Sequence, residues 1–408
     1  MKIKKCRICS SKKFSKLFSL GKQSFTGKFP NTRHHKIAKD YINLIICNKC
    51  KLVQLDRNFN PNFLYGKDYG YRTGINLTMS NHVKFVAKEA IKISKPKQKD
   101  YILDIASNDG TLLNNYGKKF ITVGVDPLTN KYKKFYKKVN YKISNFFTFK
   151  NLKKYNLDKK YKIITALSMF YDLKDPNSFI KDIKKILHKD GIFILEHADL
   201  LSILKYSLFD TICHEHLEYY SSKIIIELMK KNNLRVFDIK NSKINGGSTR
   251  YLITHDNSKF KTKTERISKI LKEEKKFKLE KKETFLRFFK RINFIKKKIM
   301  GLLNDIVSKK KTVHGYGAST KGNVLLQYFG INVKHLNYIA ERNPLKYNKF
   351  TPGTYIKIIS EKNSRQLKPH YYFVLPWHFK KEIVKRETKI RNLGTKLIFP
   401  LPKLKIIS

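Results

Sequence analysis

The spacing of apolar residues changes along the chain and divides it into segments. From about residue 86, the helix-like stretch HVKFVAKEAIKIS leads into the strand-like runs YILDIA and FITVGVD, with a glycine-containing turn between the two runs. The alternation continues through YKIITALSMF, NSFIKDIKKILHKD and GIFILEHADL. Strand-like runs alternating with helical stretches are typical of a parallel α/β sheet. We therefore predict an α/β domain over residues 86–257.

The chain on either side of this domain has different patterns. Residues 1–85 carry scattered turn residues without a long helical period. This is typical of a small module that is stabilised by a bound metal in place of a large core. Residues 258–310 are rich in Lys and Glu with recurring Ile, Leu and Phe, which favours one or two amphipathic connecting helices over a membrane or coiled-coil segment. A second strand–turn–helix pattern begins at KTVHGYGASTKGNVLLQYFG and predicts a second α/β unit over residues 311–408. The predicted fold class is thus α/β, with three domains and a helical connector.

The charge of the chain is strongly positive, with 88 Lys and Arg against 31 Asp and Glu and a formal net charge of +57. A clustered excess of this kind binds nucleic acid through counterion release. Here the excess is mostly Lys and is spread over the whole chain, so we interpret it as a solvated surface. No nucleic-acid partner is expected.

Targeting signals are not evident in the sequence. The N-terminus MKIKKCRICS lacks the apolar core of a signal peptide, and no run reaches the roughly 18 apolar residues of a spanning helix. We expect a cytoplasmic protein without membrane association. The oligomeric state is left open, and a monomer fits.

Four of the five cysteines form two CxxC pairs, Cys6 with Cys9 and Cys47 with Cys50. Each pair can present two thiolates to one tetrahedral ion, and four sulfur ligands leave no open position for catalysis. A redox motif needs only one pair beside a thioredoxin-like unit. The pattern therefore favours a structural Zn²⁺ over redox-active or independent reduced cysteines.

Small and polar residues follow the first predicted strand of the central domain. The run DIASNDGTLL opens a helix, so its backbone can approach a ligand at the helix N-terminus, and an aspartate 22 residues after the first Asp ends the next strand, where a carboxylate can accept both ribose hydroxyls. A dinucleotide site would need GxGxxG for the pyrophosphate, whereas S-adenosylmethionine has no phosphate and fits a loop with one glycine. The predicted cofactor contacts are Asp104, Ala106, Ser107, Asn108, Gly110 and Asp126.

The segment DTICHEHLEYY, residues 210–220, concentrates imidazole, carboxylate, thiol and phenol groups. Proton transfer is suited to a His that titrates near neutral pH and is oriented by a carboxylate. We therefore favour acid–base function for His214, Glu215 and His216. Metal binding by the HxH pair and a purely structural polar corner are the alternatives.

Two glycine-rich loops, INGGS at 244–248 and GYGASTKG at 315–322, are also candidates for ligand binding. The second precedes a helix and holds Lys321, so its backbone N–H groups can cradle a diphosphate. It lacks the GK[ST] order of a P-loop, and a tight strand-to-helix turn is the alternative.

Together these motifs resemble, over nearly the whole chain, the nucleotide-sugar C-methyltransferases of deoxysugar biosynthesis. The resemblance implies an N-terminal zinc-binding domain, a central class I methyltransferase domain and a C-terminal Rossmann-like domain that helps bind the nucleotide sugar. The most specific match, CHEHLEYYS, implies that His216 is the general base with Glu215 beside it. YGYRTGINLTM and INGGSTR are similar to further family segments, and Tyr71, or else Tyr69, is expected to face the substrate. The expected substrate contacts are Asp172, Cys213, Asn245, Ser319 and Lys321.

With a nucleoside-diphosphate 4-keto-hexose, His216 would remove the proton next to the ketone, and His214 and Tyr71 would donate hydrogen bonds to the enolate oxygen. Three residues depart from the family pattern: Ala106 replaces a Gly, Asp172 a His and Cys213 a Tyr. The last two leave the substrate and the choice between C- and O-methylation open. Another small carbonyl metabolite, RNA methylation and an inactive scaffold are further alternatives.

Overall fold

Three β-sheets organise the chain in this computed structural model, which describes residues 1–66 and 69–408. The strands are β1 (Phe14–Ser24), β2 (Lys39–Cys47), β3 (Val53–Leu55), β4 (Tyr101–Ile105), β5 (Ile121–Val125), β6 (Tyr141–Ile143), β7 (Tyr161–Leu167), β8 (Leu187–Ala198), β9 (Glu218–Tyr219), β10 (Leu234–Ser242), β11 (Ser248–His255), β12 (Val313–Tyr316), β13 (Ile339–Glu341), β14 (Ile358–Ser360), β15 (Tyr371–Val374), β16 (Lys396–Phe399) and β17 (Lys405–Ile407). The α-helices are α1 (Pro61–Leu64), α2 (Leu77–Ser94), α3 (Thr129–Tyr132), α4 (Phe149–Lys154), α5 (Pro176–Ile186), α6 (Leu200–Tyr206), α7 (Ser222–Lys230), α8 (Thr264–Phe277), α9 (Lys282–Ser308), α10 (Thr320–Phe329), α11 (Glu361–Gln366), α12 (Lys380–Arg386) and α13 (Thr388–Asn392).

The first sheet is antiparallel, in the order β1-β2-β3-β9. Its last strand comes from the distant HEHLEYY segment, because Val53 pairs with Tyr219 and Gln54 with Glu218. The sheet of the N-terminal module is therefore completed by a strand from the region predicted as the central domain.

The central sheet has seven strands in the order β10-β11-β8-β7-β4-β5-β6. Strands β4 to β8 are parallel, and β11 lies antiparallel between β8 and β10. The parallel strands are almost wholly buried, because helices cover both faces of such a sheet. Ligands of doubly wound sheets bind outside the carboxyl ends of the strands, so this edge is where a cofactor site is expected.

Helix α5 illustrates how the sequence builds the covering layer. Asp175 caps the helix by accepting a hydrogen bond from the Ser178 N–H at 3.0 Å, and Pro176 occupies the first turn. Phe179, Ile180 and Ile183 follow at helical spacing and are buried against the sheet, while lysines face outwards.

The third sheet has the order β14-β13-β12-β15-β16-β17, parallel except for β17. Counted within the domain this is 3-2-1-4-5-6, the doubly wound order whose switch point lies between its first and fourth strands. The loop 315–322 extends from the end of β12, next to that switch point, into α10.

Helices α8 and α9 connect the last two sheets. The buried residues Phe285, Phe288 and Ile292 of α9 lie on one face, and Phe288 is 5.6 Å from Phe18 of β1, measured between ring centroids. Hence the connector also packs on the N-terminal module. Within residues 1–66 and 69–408, no helix combines the length and apolar character required to cross a membrane.

Candidate active site

The four paired cysteines lie together. Their sulfur atoms are all within 4.8 Å of one another, with 3.6 Å between Cys6 and Cys50 and 3.5 Å between Cys9 and Cys47. Sulfurs at the corners of a tetrahedron with Zn–S bonds of about 2.3 Å are separated by roughly 3.8 Å, so the cluster fits Zn²⁺.

The two CxxC turns, here called knuckles, have the same local geometry. The residue after each pair is left-handed, with φ of 57° at Ser10 and 64° at Lys51, and its N–H donates to the carbonyl of the first cysteine. The Gln54 amide donates to the Cys6 sulfur at 3.3 Å, an outer contact that suits a thiolate ligand.

The predicted cofactor loop turns sharply after β4. Ala106, Asn108 and Gly110 all have positive φ, at 57°, 51° and 71°. Asp126, at the end of β5, accepts hydrogen bonds from the Asn108 N–H at 3.0 Å and the Leu128 N–H at 2.7 Å. The loop and the carboxylate are thus brought together at the carboxyl edge of the sheet, and burial raises the pKa of Asp126 to about 6.

Two further predicted cofactor residues support the loop from inside. Asp104 is buried and accepts a hydrogen bond from the Thr165 hydroxyl at 2.6 Å, and burial raises its pKa to about 7. Ser107 shares a hydrogen bond of 2.8 Å with the Tyr136 hydroxyl. These side chains point to neighbouring elements and hold the turn in place.

The YGYRTG segment folds over this loop. The Thr73 N–H donates to the Asn108 side chain at 2.9 Å, and the Gly74 N–H donates to the Asp109 carboxylate at the same distance. Arg72 lies 3.2 Å from that carboxylate. Sequence reasoning did not select Asp109, although its place in the SNDG run marked it as a neighbour of the cofactor contacts.

His216 is half-buried at the carboxyl side of the central sheet. Its Nδ1 lies 2.6 Å from the Thr211 carbonyl oxygen, and its ring packs on Tyr171 with 4.1 Å between centroids. Among the described residues, Nε2 has no hydrogen-bond partner. Burial and the charge of Lys321 lower the pKa of His216 to about 3, so the imidazole is neutral at physiological pH.

The other two members of the HEH motif point into the N-terminal module. The Glu215 carboxylate accepts hydrogen bonds from the Thr26 hydroxyl at 2.9 and 3.0 Å and from the Gly27 N–H at 3.1 Å. The His214 ring packs against two aromatic rings of that module, and its Nε2 donates to the Asp40 carbonyl at 3.0 Å. The contact with Thr26 spans 189 residues of chain, which no local pattern reveals.

The second glycine-rich loop and the helix that follows it contact the INGGS loop and the segment before the HEH motif. Lys321 Nζ donates to the Asn245 carbonyl at 3.1 Å, and the Trp377 indole donates to Asp210 at 2.8 Å. The Ser319 hydroxyl caps α10 by accepting from the Gly322 N–H at 3.0 Å. The structure therefore brings Asn245 and Lys321 together, whereas the Ser319 side chain is engaged in its own helix.

Two of the residues that depart from the family pattern, Cys213 and Asp172, lie close to His216, whereas Ala106 lies in the cofactor loop. Cys213 is fully buried, and the pKa of its thiol is raised by burial. Asp172 follows the Tyr171 ring that contacts His216, one of its oxygens is buried without a hydrogen bond to the described residues, and burial raises its pKa well above the usual range. Tyr71 is 43% exposed, and its carbonyl accepts from the Asn108 amide at 3.3 Å.

Family models match the chain in three consecutive segments. A zinc binding domain matches residues 6–65, a methyltransferase domain residues 68–239, and a C-methyltransferase C-terminal domain residues 243–402. The C-methyltransferase NovU of Streptomyces niveus is 25% identical over 415 residues, which cover 100% of this chain and 97% of that protein.

Two solved structures each align with less than half of the chain. An S-adenosylmethionine-dependent methyltransferase from Clostridium acetobutylicum is 17% identical, with a TM-score of 0.34, and the alignment covers 42% of this chain and 90% of that one. The PH0226 protein of Pyrococcus horikoshii is 16% identical, with a TM-score of 0.37, and 48% of this chain and all of that chain are covered.

The family models agree with the geometry of both cofactor sites. The cysteine cluster lies in the segment matched by the zinc binding domain, and the loop with Asp126 lies in the segment matched by the methyltransferase domain. The chain is thus an S-adenosylmethionine-dependent class I methyltransferase with a structural zinc site, and it is similar over its full length to a C-methyltransferase.

Proposed function

We propose that this enzyme methylates the carbon next to the ketone of a nucleoside-diphosphate 4-keto-hexose, with His216 as the base. The observation that carries the proposal is the 2.6 Å contact between His216 Nδ1 and the Thr211 carbonyl. A carbonyl only accepts hydrogen bonds, so Nδ1 carries the proton and Nε2 keeps a free lone pair. The contact therefore holds the neutral ring in the tautomer that a base needs.

The proposed division of labour follows the sequence segments. Residues 1–85 hold zinc, 86–257 bind the methyl donor, 258–310 connect, and 311–408 bind the nucleotide sugar. The N–H groups of Gly315, Gly317 and Ala318 already donate to Tyr338, Ala340 and Glu341, so within loop 315–322 a diphosphate would bind at the start of α10, next to the switch point of the third sheet. The full-length similarity to a protein named as a C-methyltransferase supports carbon as the acceptor.

The residues of this chain would contribute binding, proton transfer and alignment. When bound, S-adenosylmethionine supplies an electrophilic methyl group. Asp126 accepts the ribose hydroxyls with the lone pairs that its two backbone contacts leave free. The YGYRTG segment covers the loop from the solvent side and limits the entry of water, while His216 removes the substrate proton.

Deuterium exchange tests this proposal without methyl transfer. We expect the protein in heavy water to exchange the proton next to the ketone of a nucleoside-diphosphate 4-keto-hexose, followed by NMR without S-adenosylmethionine. His216→Ala should abolish this exchange and leave cofactor affinity unchanged. His188→Gln, at the opposite end of β8, is the matched control and should exchange normally. No exchange by the wild-type enzyme with any such sugar would contradict the proposal and direct attention to O-methylation.

A further inference from the structure

Lys321 reaches from the C-terminal domain to the neighbourhood of the proposed base. We infer that its ammonium group binds the ketone oxygen of the substrate and stabilises the enolate formed when His216 removes the neighbouring proton. This inference rests on the proposed function and deepens it, because it assigns the group that receives the developing negative charge.

The position of Lys321 is fixed by two elements. Lys321 is the second residue of α10, and its Nζ donates to the Asn245 carbonyl, 3.1 Å away in a loop of the central domain. A carbonyl oxygen uses one of the three ammonium N–H groups, which leaves two for a ligand. The contact therefore fixes the position of the ammonium group and leaves two of its N–H groups available for a ligand.

The turn at 209–211 also contacts the C-terminal domain, and one of its backbone carbonyls accepts a hydrogen bond from His216. His216 is bonded to the Thr211 carbonyl, while the preceding residue, Asp210, accepts from Trp377 of the C-terminal domain. Asp210 and Thr211 are buried, and each has a side-chain oxygen without a hydrogen bond to any described residue. Buried polar atoms are nearly always hydrogen-bonded, so unpaired ones at a domain boundary point to a ligand.

The loop that holds the ammonium packs against the elements around the turn at 209–211, since a Cβ on Gly246 would lie 2.8 Å from the Trp377 ring and 3.2 Å from Leu208. The pKa of His216 is lowered by burial and then by Lys321, and the pKa of Lys321 is lowered by burial, opposed by Asp210 and Cys213. His378 is a further neighbour whose pKa is lowered by burial and by Lys321. The groups facing this pair are thus Asp210, Cys213 and His378, with Tyr171 packed on His216.

The two donors expected from the sequence are less well placed for this task. His214 donates its Nε2 proton to the Asp40 carbonyl and is enclosed by aromatic rings, and the Tyr71 side chain is 43% exposed. A preorganised charge in a site shielded from water stabilises a developing oxyanion more than an exposed donor does.

The proposed step balances in protons and electrons. His216 Nε2 takes the proton, and the C–H electron pair forms the carbon–carbon double bond while the carbonyl π pair moves to the oxygen. The oxyanion pairs with the Lys321 ammonium, which keeps its three protons. As the new carbon–carbon bond to the methyl group forms and the methyl–sulfur bond breaks, the ketone is restored, and His216 later releases its proton to water.

The test is the rate of deuterium exchange as a function of pH, with 4-keto-sugar and without methyl donor. Lys321→Met should lower the rate about 100- to 1,000-fold, the usual effect of losing one oxyanion donor. It should also move the acid limb of the pH–rate profile, where exchange slows as His216 becomes protonated, to higher pH. The reason is that the Lys321 charge, which helps to lower the pKa of His216, is gone. Lys321→Arg should retain substantial exchange and lose the alkaline limb, since a guanidinium stays protonated where a lysine with a lowered pKa does not.

Lys296→Met is the matched control, because Lys296, like Lys321, donates to a backbone carbonyl, that of Tyr328, which is 2.8 Å away and at the other end of α10 from Lys321. It should leave both limbs unchanged, and cofactor titration with thermal melting establishes that each variant is folded. Lys321→Met with a normal rate and pH profile, or with only weaker sugar binding, would overturn the inference and leave the proposed function intact. Absence of exchange in the wild-type enzyme would instead contradict the proposed function itself.

Discussion

At the residue scale, the carboxylate of Asp126 holds the cofactor loop and is the proposed acceptor for the ribose of the cofactor. Its two oxygens hold the backbone N–H groups of Asn108 and Leu128, which fixes the loop before any ligand arrives. Each oxygen retains a lone pair, so the same carboxylate can bind ribose hydroxyls. The geometry of the loop and the affinity for the cofactor are thus coupled through one side chain.

We predict that Asp126→Ala weakens S-adenosylmethionine binding about 10- to 100-fold, because it removes the ribose acceptors and leaves two buried N–H groups unpaired, at a cost of about 1–3 kcal/mol. Isothermal titration measures the effect. Deuterium exchange into the keto-sugar should persist, since that step does not use the cofactor. Asp305→Ala, which removes an exposed carboxylate of α9, is the control. An unchanged cofactor affinity in Asp126→Ala would remove Asp126 from the binding site.

Residue-scale predictions from the sequence succeeded where the contacts are local. The CxxC knuckles are short-range patterns, and the four sulfurs meet because each pair is already arranged by its own turn. The partners of Glu215 and Lys321 lie 189 and 76 residues away, so their contacts depend on how the domains dock. The catalytic roles of the HEH residues stay predictions.

At the element scale, the loop 106–110 depends on backbone shapes that L-residues avoid. Gly110 has φ of 71°, and a Cβ there would lie 2.7 Å from the Tyr136 ring. Tyr136 also holds the Ser107 hydroxyl and donates to the Asn108 carbonyl at 2.8 Å. The absence of a side chain at Gly110 therefore allows the buried Tyr136 ring to pack directly against the loop and hold it in place.

We predict that Gly110→Ala destabilises the protein by about 1–3 kcal/mol, through a strained φ and overpacking against Tyr136. Cofactor binding should weaken as well, because the ring can move only by displacing the loop. Thermal melting and cofactor titration measure the two effects. Gly117→Ala is the matched control, since no heavy atom lies within 4 Å of its added Cβ. Equal behaviour of the two variants would show that the loop tolerates a side chain at residue 110.

Elements with a regular period were predictable, and short ones were not. Buried apolar runs such as β4 and β5 predict parallel strands because both faces are covered. Strand β9 has two residues, too few for any period, and pairs with β3 across more than 160 residues of chain. Helix α2 crosses the predicted boundary at 85/86, and the division into domains stays a prediction.

At the scale of the whole molecule, the zinc-binding module is tied to the segment that carries the base. Arg7, inside the first knuckle, donates to the Leu217 carbonyl at 3.3 Å, and its Nε lies 3.6 Å from the Glu218 carboxylate. Both side chains are buried, so this pair joins the metal site to β9, directly after His216. The structural metal site thereby supports the position of His216, the proposed base.

We predict that removing zinc with a chelator, or by Cys9→Ser, abolishes deuterium exchange and leaves S-adenosylmethionine binding largely unchanged. Without the metal, the first CxxC pair no longer fixes Arg7, and losing a hydrogen bond from a charged donor such as that of Arg7 to the Leu217 carbonyl costs about 1–3 kcal/mol. Strand β9 and His216 therefore lose support, whereas the cofactor loop is held within the central sheet. Metal analysis of the purified protein should find about one zinc per chain, and returning zinc to the chelated protein should restore exchange. Arg7→Met tests the link itself: it should reduce exchange while four cysteines still hold the metal. A metal-free protein that exchanges at the normal rate would show that the base keeps its position without the zinc module.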